Sequence, residues 1–226
     1  MKKILFVGNS FVYYNDLPGM LTQLTEKMPE QLKCDSVTKG GAYLHQYADP
    51  NHMLHEKLVD TYVQKKWDAI ILQDQSYNPV RLPEDLLQAA RDLRKVFDQG
   101  EPLYFYQTWA YEEGTMKLQN TGKRYLDMYA GLKAGYLNAA VKLGGKLVPV
   151  GDAFLLAKME CPEIELYRYD HYHPSLAGTY LIACVFYAWL SGRSPLELSD
   201  YEGLCPEEAA KLREVAEKLR YTCGCF

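Results

Sequence analysis

The sequence predicts an α/β protein, a three-layer α/β/α sandwich around a parallel five-stranded sheet. Three observations lead there. Short apolar runs, among them Ile4-Leu5-Phe6-Val7 and Ala69-Ile70-Ile71-Leu72, have the length and continuity of strands buried on both faces. Between them lie longer stretches whose apolar residues recur at helical spacing, such as Leu17, Met20, Leu21 and Leu24. Runs and stretches alternate along the chain, which is the pattern of βαβ units.

Taken in order, the first strand is expected over residues 3–7, where Gly8-Asn9 breaks it, and the first long helix over 17–28. Residues 32–37 are weaker and more polar, as suits an edge strand. A helix over 53–65 and a strongly apolar strand over 68–73 follow. Pro83 with Glu84 and Asp85 starts a helix over 83–97, because proline suits the first turn and acids complement the dipole. The fourth strand falls at 103–106. A long helix over about 123–143 ends at Gly144-Gly145, and the fifth strand spans 146–150. An apolar helix over 175–190 and a charged amphipathic one over 206–220 complete the chain. The expected topology is flavodoxin-like with strand order 2-1-3-4-5, so the switch point lies beside the first strand. With 226 residues and no linker, repeat or shift in composition, one domain over 1–226 is expected, with the last helix (about 206–221) packed on it.

Composition excludes several function classes. The net charge is −4 and the basic residues are dispersed, so no nucleic-acid footprint is present. No apolar stretch is long enough for a membrane span. Met1-Lys2-Lys3 resembles the start of a signal peptide, but only four apolar residues follow before Gly8, so a cytoplasmic location is expected. The six cysteines form no CxxC pair and are expected to be reduced. Cys184 falls in the apolar helix as a small hydrophobe, whereas Cys223 and Cys225 flank Gly224 near the end of the chain. Neither a cofactor nor a metal is called for. The expected partner is a small molecule, and the oligomeric state is left open.

Polar clusters follow the strands: Asn9-Ser10, Lys39-Gly40-Gly41, Gln73 to Asn78, Gln107-Thr108-Trp109, and then Asp170-His171-Tyr172-His173. Ligands of open α/β sheets bind outside the carboxyl ends of the strands, so these clusters are expected to converge. Acyl transfer needs a nucleophile, a base, a group orienting the base, and donors for the oxyanion. Ser10 supplies the hydroxyl, His173 or His171 the imidazole, and Asp170 the orienting carboxylate. The backbone amides of Ser10 and of the Gly40-Gly41 turn, with the Gln75 side chain, are candidate oxyanion donors. Other readings compete. Ser10 could be only a helix cap. Asp170, His171 and His173 with Asp74 or Asp152 could bind a divalent metal ion. The fold could also serve as a non-catalytic sugar- or small-molecule-binding module. Gly8-Asn9-Ser10 matches no phosphate-binding loop.

This pattern resembles the SGNH/GDSL superfamily of esterases and lipases. The segment ILFVGNSFVYYNDLP is similar to that family's first block, with GNS in place of GDS. The resemblance implies that Ser10 is the nucleophile and that Gly41, rather than Gly40, is the oxyanion glycine. It also implies that Asp170-His171-Tyr172-His173 is the D-x-x-H block with His173 as base. The third block departs: Gln73-Asp74-Gln75-Ser76 stands where G-x-N-D is usual, which puts Gln75 on the oxyanion asparagine. The resemblance covers residues 1 to about 191. It implies an esterase, and a pocket wall of Tyr13, Tyr77, Asn78, Gln107, Trp109 and Tyr172 would suit a short acyl group, such as acetyl, on a carbohydrate.

Overall fold

The computed structural model describes residues 1–200 and 203–222, the last of these in backbone only. Cys223 and Cys225 lie outside the described residues. Five strands, β1 (Lys2–Gly8), β2 (Leu32–Thr38), β3 (Ala69–Leu72), β4 (Leu103–Tyr106) and β5 (Lys146–Val148), form one parallel sheet in the order β2-β1-β3-β4-β5. Residues 4–7 of β1 and all of β3 and β4 are buried, as strands covered on both faces must be. On β2 burial alternates with exposure, the pattern of an edge.

The helices are α1 (Ser10–Tyr13), α2 (Leu17–Thr25), α3 (Leu44–Ala48), α4 (Met53–Tyr62), α5 (Asn78–Arg81), α6 (Pro83–Val96), α7 (Met116–Gln119), α8 (Tyr125–Leu143), α9 (Val150–Glu160), α10 (Leu176–Ser191) and α11 (Pro206–Thr222). α2, α9, α10 and α11 pack on one another, and α3, α5, α6 and α8 form a second group. Right-handed crossovers explain the split, because the chain moves one way from β1 to β2 and the other way from β1 through β5. The short helices α1, α3, α5 and α7 do not emerge from sequence periodicity, since four or five residues are too few to show it. The fifth strand is also shorter than expected. Pro149 cannot extend the ladder and instead caps α9, an element the apolar periodicity does not reveal.

α10 is buried at 13 of its 16 positions, which requires cover on every side. The sheet covers one side, where Phe186 packs edge-on against Phe6 at 5.1 Å and Tyr106 at 4.9 Å. α11 covers the other with Ala209, Leu212, Val215, Ala216 and Leu219. Phe186→Ala would leave a cavity between helix and sheet. A loss of about 3–5 kcal/mol of stability is expected, measured as a lowered urea midpoint at unchanged slope.

The pairing registers set Gly8 opposite Thr38, Val7 opposite Leu72, Leu72 opposite Phe105, and Tyr106 opposite Val148. The carboxyl ends of the strands therefore align, and the polar segments that follow them share one edge of the sheet.

Candidate active site

Ser10 is held where a strand turns directly into a helix. The backbone N–H of Asn9 donates to Gln73 Oε1 at 2.9 Å, and its side-chain Nδ2 donates to the Ala42 carbonyl at 3.0 Å. Asn9 Oδ1 accepts the N–H of Phe11 at 3.1 Å, so Asn9 caps α1. The cap reading of Ser10 is thereby overturned. Gly8 allows this crowding, because a Cβ there would lie 2.5 Å from Gln73 Oε1.

The hydroxyl of Ser10 lies 2.8 Å from His173 Nε2, and His173 Nδ1 lies 2.7 Å from Asp170 Oδ2. The carboxylate contact places a proton on Nδ1, which leaves Nε2 to accept from Ser10. The other oxygen, Asp170 Oδ1, accepts the backbone N–H groups of His173 (3.0 Å) and Tyr172 (3.3 Å), so one carboxylate shapes the turn and orients the ring. His171 takes a positive φ of 67° within that turn. Its exposed ring pairs instead with Glu112 at 2.7 Å.

The imidazole is clamped between Tyr14, stacked at 4.1 Å, and Tyr172 at 4.0 Å. Asn15 ties the Ser10 segment to the His173 segment, since its Nδ2 donates to the carbonyls of Pro174 and Ser175 and to Thr179 Oγ1. Burial holds the His173 pKa below its ordinary value, against the pull of Asp170, and the nearby cations Lys117 and Arg168 lower it further. Burial would raise the Asp170 carboxyl, but its hydrogen bonds from His173 and Tyr172 outweigh that and bring it below the usual carboxylate value.

The three candidate oxyanion donors, Ser10, Gly41 and Gln75, all line the same cleft. Ser10 opens α1, so its N–H has no acceptor within the helix. Gly41 has φ +68° in a turn closed by the Ala42 N–H to the Lys39 carbonyl, and it lines the cleft with Ser10. Gln75 lines it too. Its Oε1 accepts the N–H groups of Tyr77 (2.9 Å) and Asn78 (3.1 Å), which fixes the amide so that Nε2 is the free end; Nε2 has only a long 3.4 Å contact with Ser76 Oγ. Behind them, buried Asp74 accepts the N–H groups of Leu44 and Gln75, both at 2.7 Å, and the Asn78 amide at 2.8 Å. Asp74 thus locks the glycine turn and the Gln75 loop together.

The expected pocket wall is corrected in part. Tyr13 and Tyr172 line the cleft of about 270 Å³ around Ser10, and Tyr77 lines an adjoining lobe. Asn78 points inward to Asp74. Gln107 is fully buried and donates to Asp152. Trp109 is fully buried between Phe11 and Phe154, with its indole N–H on the Tyr172 carbonyl, so it props the cleft from behind. The metal alternative loses its donor set. His171 turns away, Asp152 pairs with Lys133 at 2.7 Å, and Asp74 is engaged by three N–H groups. Among the described residues no group of three or more His, Cys, Asp or Glu is placed to hold a metal ion. Among them, too, no helix is long and apolar enough to cross a membrane. Tyr14, Asn15, Asp74 and Lys117 are the site residues that sequence reasoning missed as such. Asp74, beside a strand end, and Tyr14, a tyrosine beside an expected loop, carried some signal.

Solved structures decide what this architecture is. A Slackia heliotrinireducens protein named as a presumed SGNH hydrolase superposes with a TM-score of 0.73 at 27% identity, over 82% of this chain and 96% of that one. The chain has the SGNH/GDSL hydrolase fold. A DUF4886 family protein from Bacteroides uniformis matches this SGNH fold with a TM-score of 0.83 at 21% identity, over 97% and 95% of the two chains. The acetyl xylan esterase AlAXEase matches at 0.63 and 14% identity, over 82% and 98%. The structural neighbours of this SGNH fold include hydrolases and esterases. No protein-family model and no curated protein matches the sequence.

Proposed function

We propose that the protein is a serine esterase that hydrolyses short-chain esters, an acetyl group on a carbohydrate being the favoured substrate, through Ser10, His173 and Asp170. The observation that carries this reading is the continuous chain from Ser10 Oγ to His173 Nε2 (2.8 Å) and from His173 Nδ1 to Asp170 (2.7 Å). Ser10 Oγ attacks the ester carbonyl while its proton passes to His173 Nε2. The oxyanion is met by the N–H groups of Ser10 and Gly41 and by Gln75 Nε2. Collapse breaks the bond to the alcohol, which leaves with the proton from His173. A water, deprotonated by the same nitrogen, then releases the acid and frees Ser10.

A cleft of about 270 Å³ lies below the usual 300–1,000 Å³ of small-molecule sites and suits a small acyl group. The tyrosines at its rim offer flat faces to a sugar, and an acetyl xylan esterase shares the fold. The test is labelling by a fluorophosphonate together with turnover of 4-nitrophenyl acetate. Label on Ser10 and turnover that disappears in Ser10→Ala are the expected results. Label elsewhere, or an undiminished Ser10→Ala enzyme, would sink the reading.

The pH profile follows from His173. The base works only when neutral, and its lowered pKa keeps it neutral to more acidic pH. The acidic limb of kcat/KM is therefore expected to have its midpoint below 6.5. Lys117→Met removes a cation that lowers this pKa, so the midpoint should move to higher pH; an unmoved or lower midpoint would contradict the assignment.

A further inference from the structure

We infer that the cleft continues into a cationic, tyrosine-walled lobe that selects esters whose alcohol part carries an anionic oxygen group, a carboxylate or a phosphate. This rests on the esterase reading and extends it to the leaving group. The lobe has a volume of about 260 Å³ and shares Gln75 and Lys117 with the Ser10 cleft. Tyr43, Tyr77 and Tyr111 wall it, and Arg81 sits at its edge. Two of the rings are fixed by hydrogen bonds, Tyr111 to Ser76 Oγ at 2.6 Å and Tyr77 to the Thr121 carbonyl at 3.1 Å.

The charge balance is one-sided. The chain carries 29 acidic and 25 basic residues, yet no Asp or Glu lines either compartment, while a lysine and an arginine do. Neither cation forms an ion pair among the described residues. Lys117 is half-buried, with its ammonium 3.9 Å from the Tyr172 ring centre and 5.3 Å from that of Tyr111. Those ring faces steady the ammonium without neutralising it. Its place at the junction puts a positive charge into the lining of the Ser10 cleft, and Arg81 adds a planar fork suited to carboxylate or phosphate oxygens. A small acyl group occupies the Ser10 cleft, so the alcohol is the part that reaches this lobe. Its volume limits that part to about the size of a single sugar or aromatic ring, and the tyrosine faces suit either.

The test compares 4-acetoxybenzoate with its methyl ester, which have the same shape with and without the charge. Each kcat/KM is divided by the substrate's rate with imidazole to remove intrinsic reactivity. The charged ester is expected to be favoured about tenfold or more at low salt, and less at 0.5 M NaCl because half-exposed charges are screened. In Lys117→Met/Arg81→Met the ratio should fall to about one, and Lys117→Arg should keep it. A merely structural role would lower both substrates together and leave the ratio unmoved. A ratio of one or below in the unmodified enzyme, or one that the double variant does not change, overturns the inference. Inhibition by 4-hydroxybenzoate and by phenyl phosphate tells carboxylate from phosphate, and failure of both to exceed phenol also overturns it. If neither ester is cleaved, the esterase reading fails on its own. Calorimetric binding of 4-hydroxybenzoate against methyl 4-hydroxybenzoate then decides the lobe separately, tighter binding of the acid supporting it and equal binding overturning it.

Discussion

Ser10→Ala is expected to lower kcat for 4-nitrophenyl acetate by about 10⁶-fold, the scale on which removal of a serine nucleophile acts in hydrogen-bonded Ser-His-Asp sites. The loss removes the bond-forming atom, and nothing near it can substitute. Ser76 Oγ, the other serine hydroxyl lining the cleft, is engaged with Tyr111. What remains comes from the oxyanion donors, whose backbone members stay in place because Asn9, not Ser10, caps α1. For the same reason stability should change by less than about 0.5 kcal/mol, so the comparison is between two folded enzymes. Retention of more than a hundredth of the activity by a folded Ser10→Ala protein would remove Ser10 from the chemistry.

The second large effect is expected from Asp170→Asn, at about 10⁴-fold in kcat near neutral pH. An amide at this position still has an oxygen to accept the N–H groups of Tyr172 and His173, so the turn survives. That leaves its NH₂ facing His173 Nδ1. The ring must then carry its proton on Nε2, the nitrogen that has to take the proton of Ser10. The imidazolium formed in the reaction also loses its counter-charge. Because the three residues act as one unit, Ser10→Ala/Asp170→Asn should be no slower than Ser10→Ala alone. A double variant slower by the product of the two single losses would show that Asp170 acts elsewhere.

The GNS and D-x-x-H segments were legible in the sequence because their geometry is local. Asp170 and His173 lie three residues apart in one turn, so their pairing needs little beyond that turn. Gln75 was a candidate from its strand-end cluster and from the alignment, but its orientation was not legible: in the structure its oxygen is consumed by two backbone N–H groups, which leaves the nitrogen to donate. Side-chain direction in loops has no periodicity, and there the reading of the wall failed. Asn78, Gln107 and Trp109 follow strand ends as Tyr77 does, yet their side chains turn into the core.

The sequence by itself determined the five strands and their order. Unbroken apolar runs are stable only when sheet and helices bury both faces, and crossover handedness allows few arrangements of alternating elements. It also determined which segments meet at the sheet's carboxyl edge. Only the tertiary structure decided the contact of Ser10 with His173 across 163 residues, the clamp of Tyr14 and Tyr172 on the imidazole, and the place of Lys117 beside it. It alone decided that α11 seals α10. These depend on how elements far apart in the chain pack together, and local propensity carries no record of that.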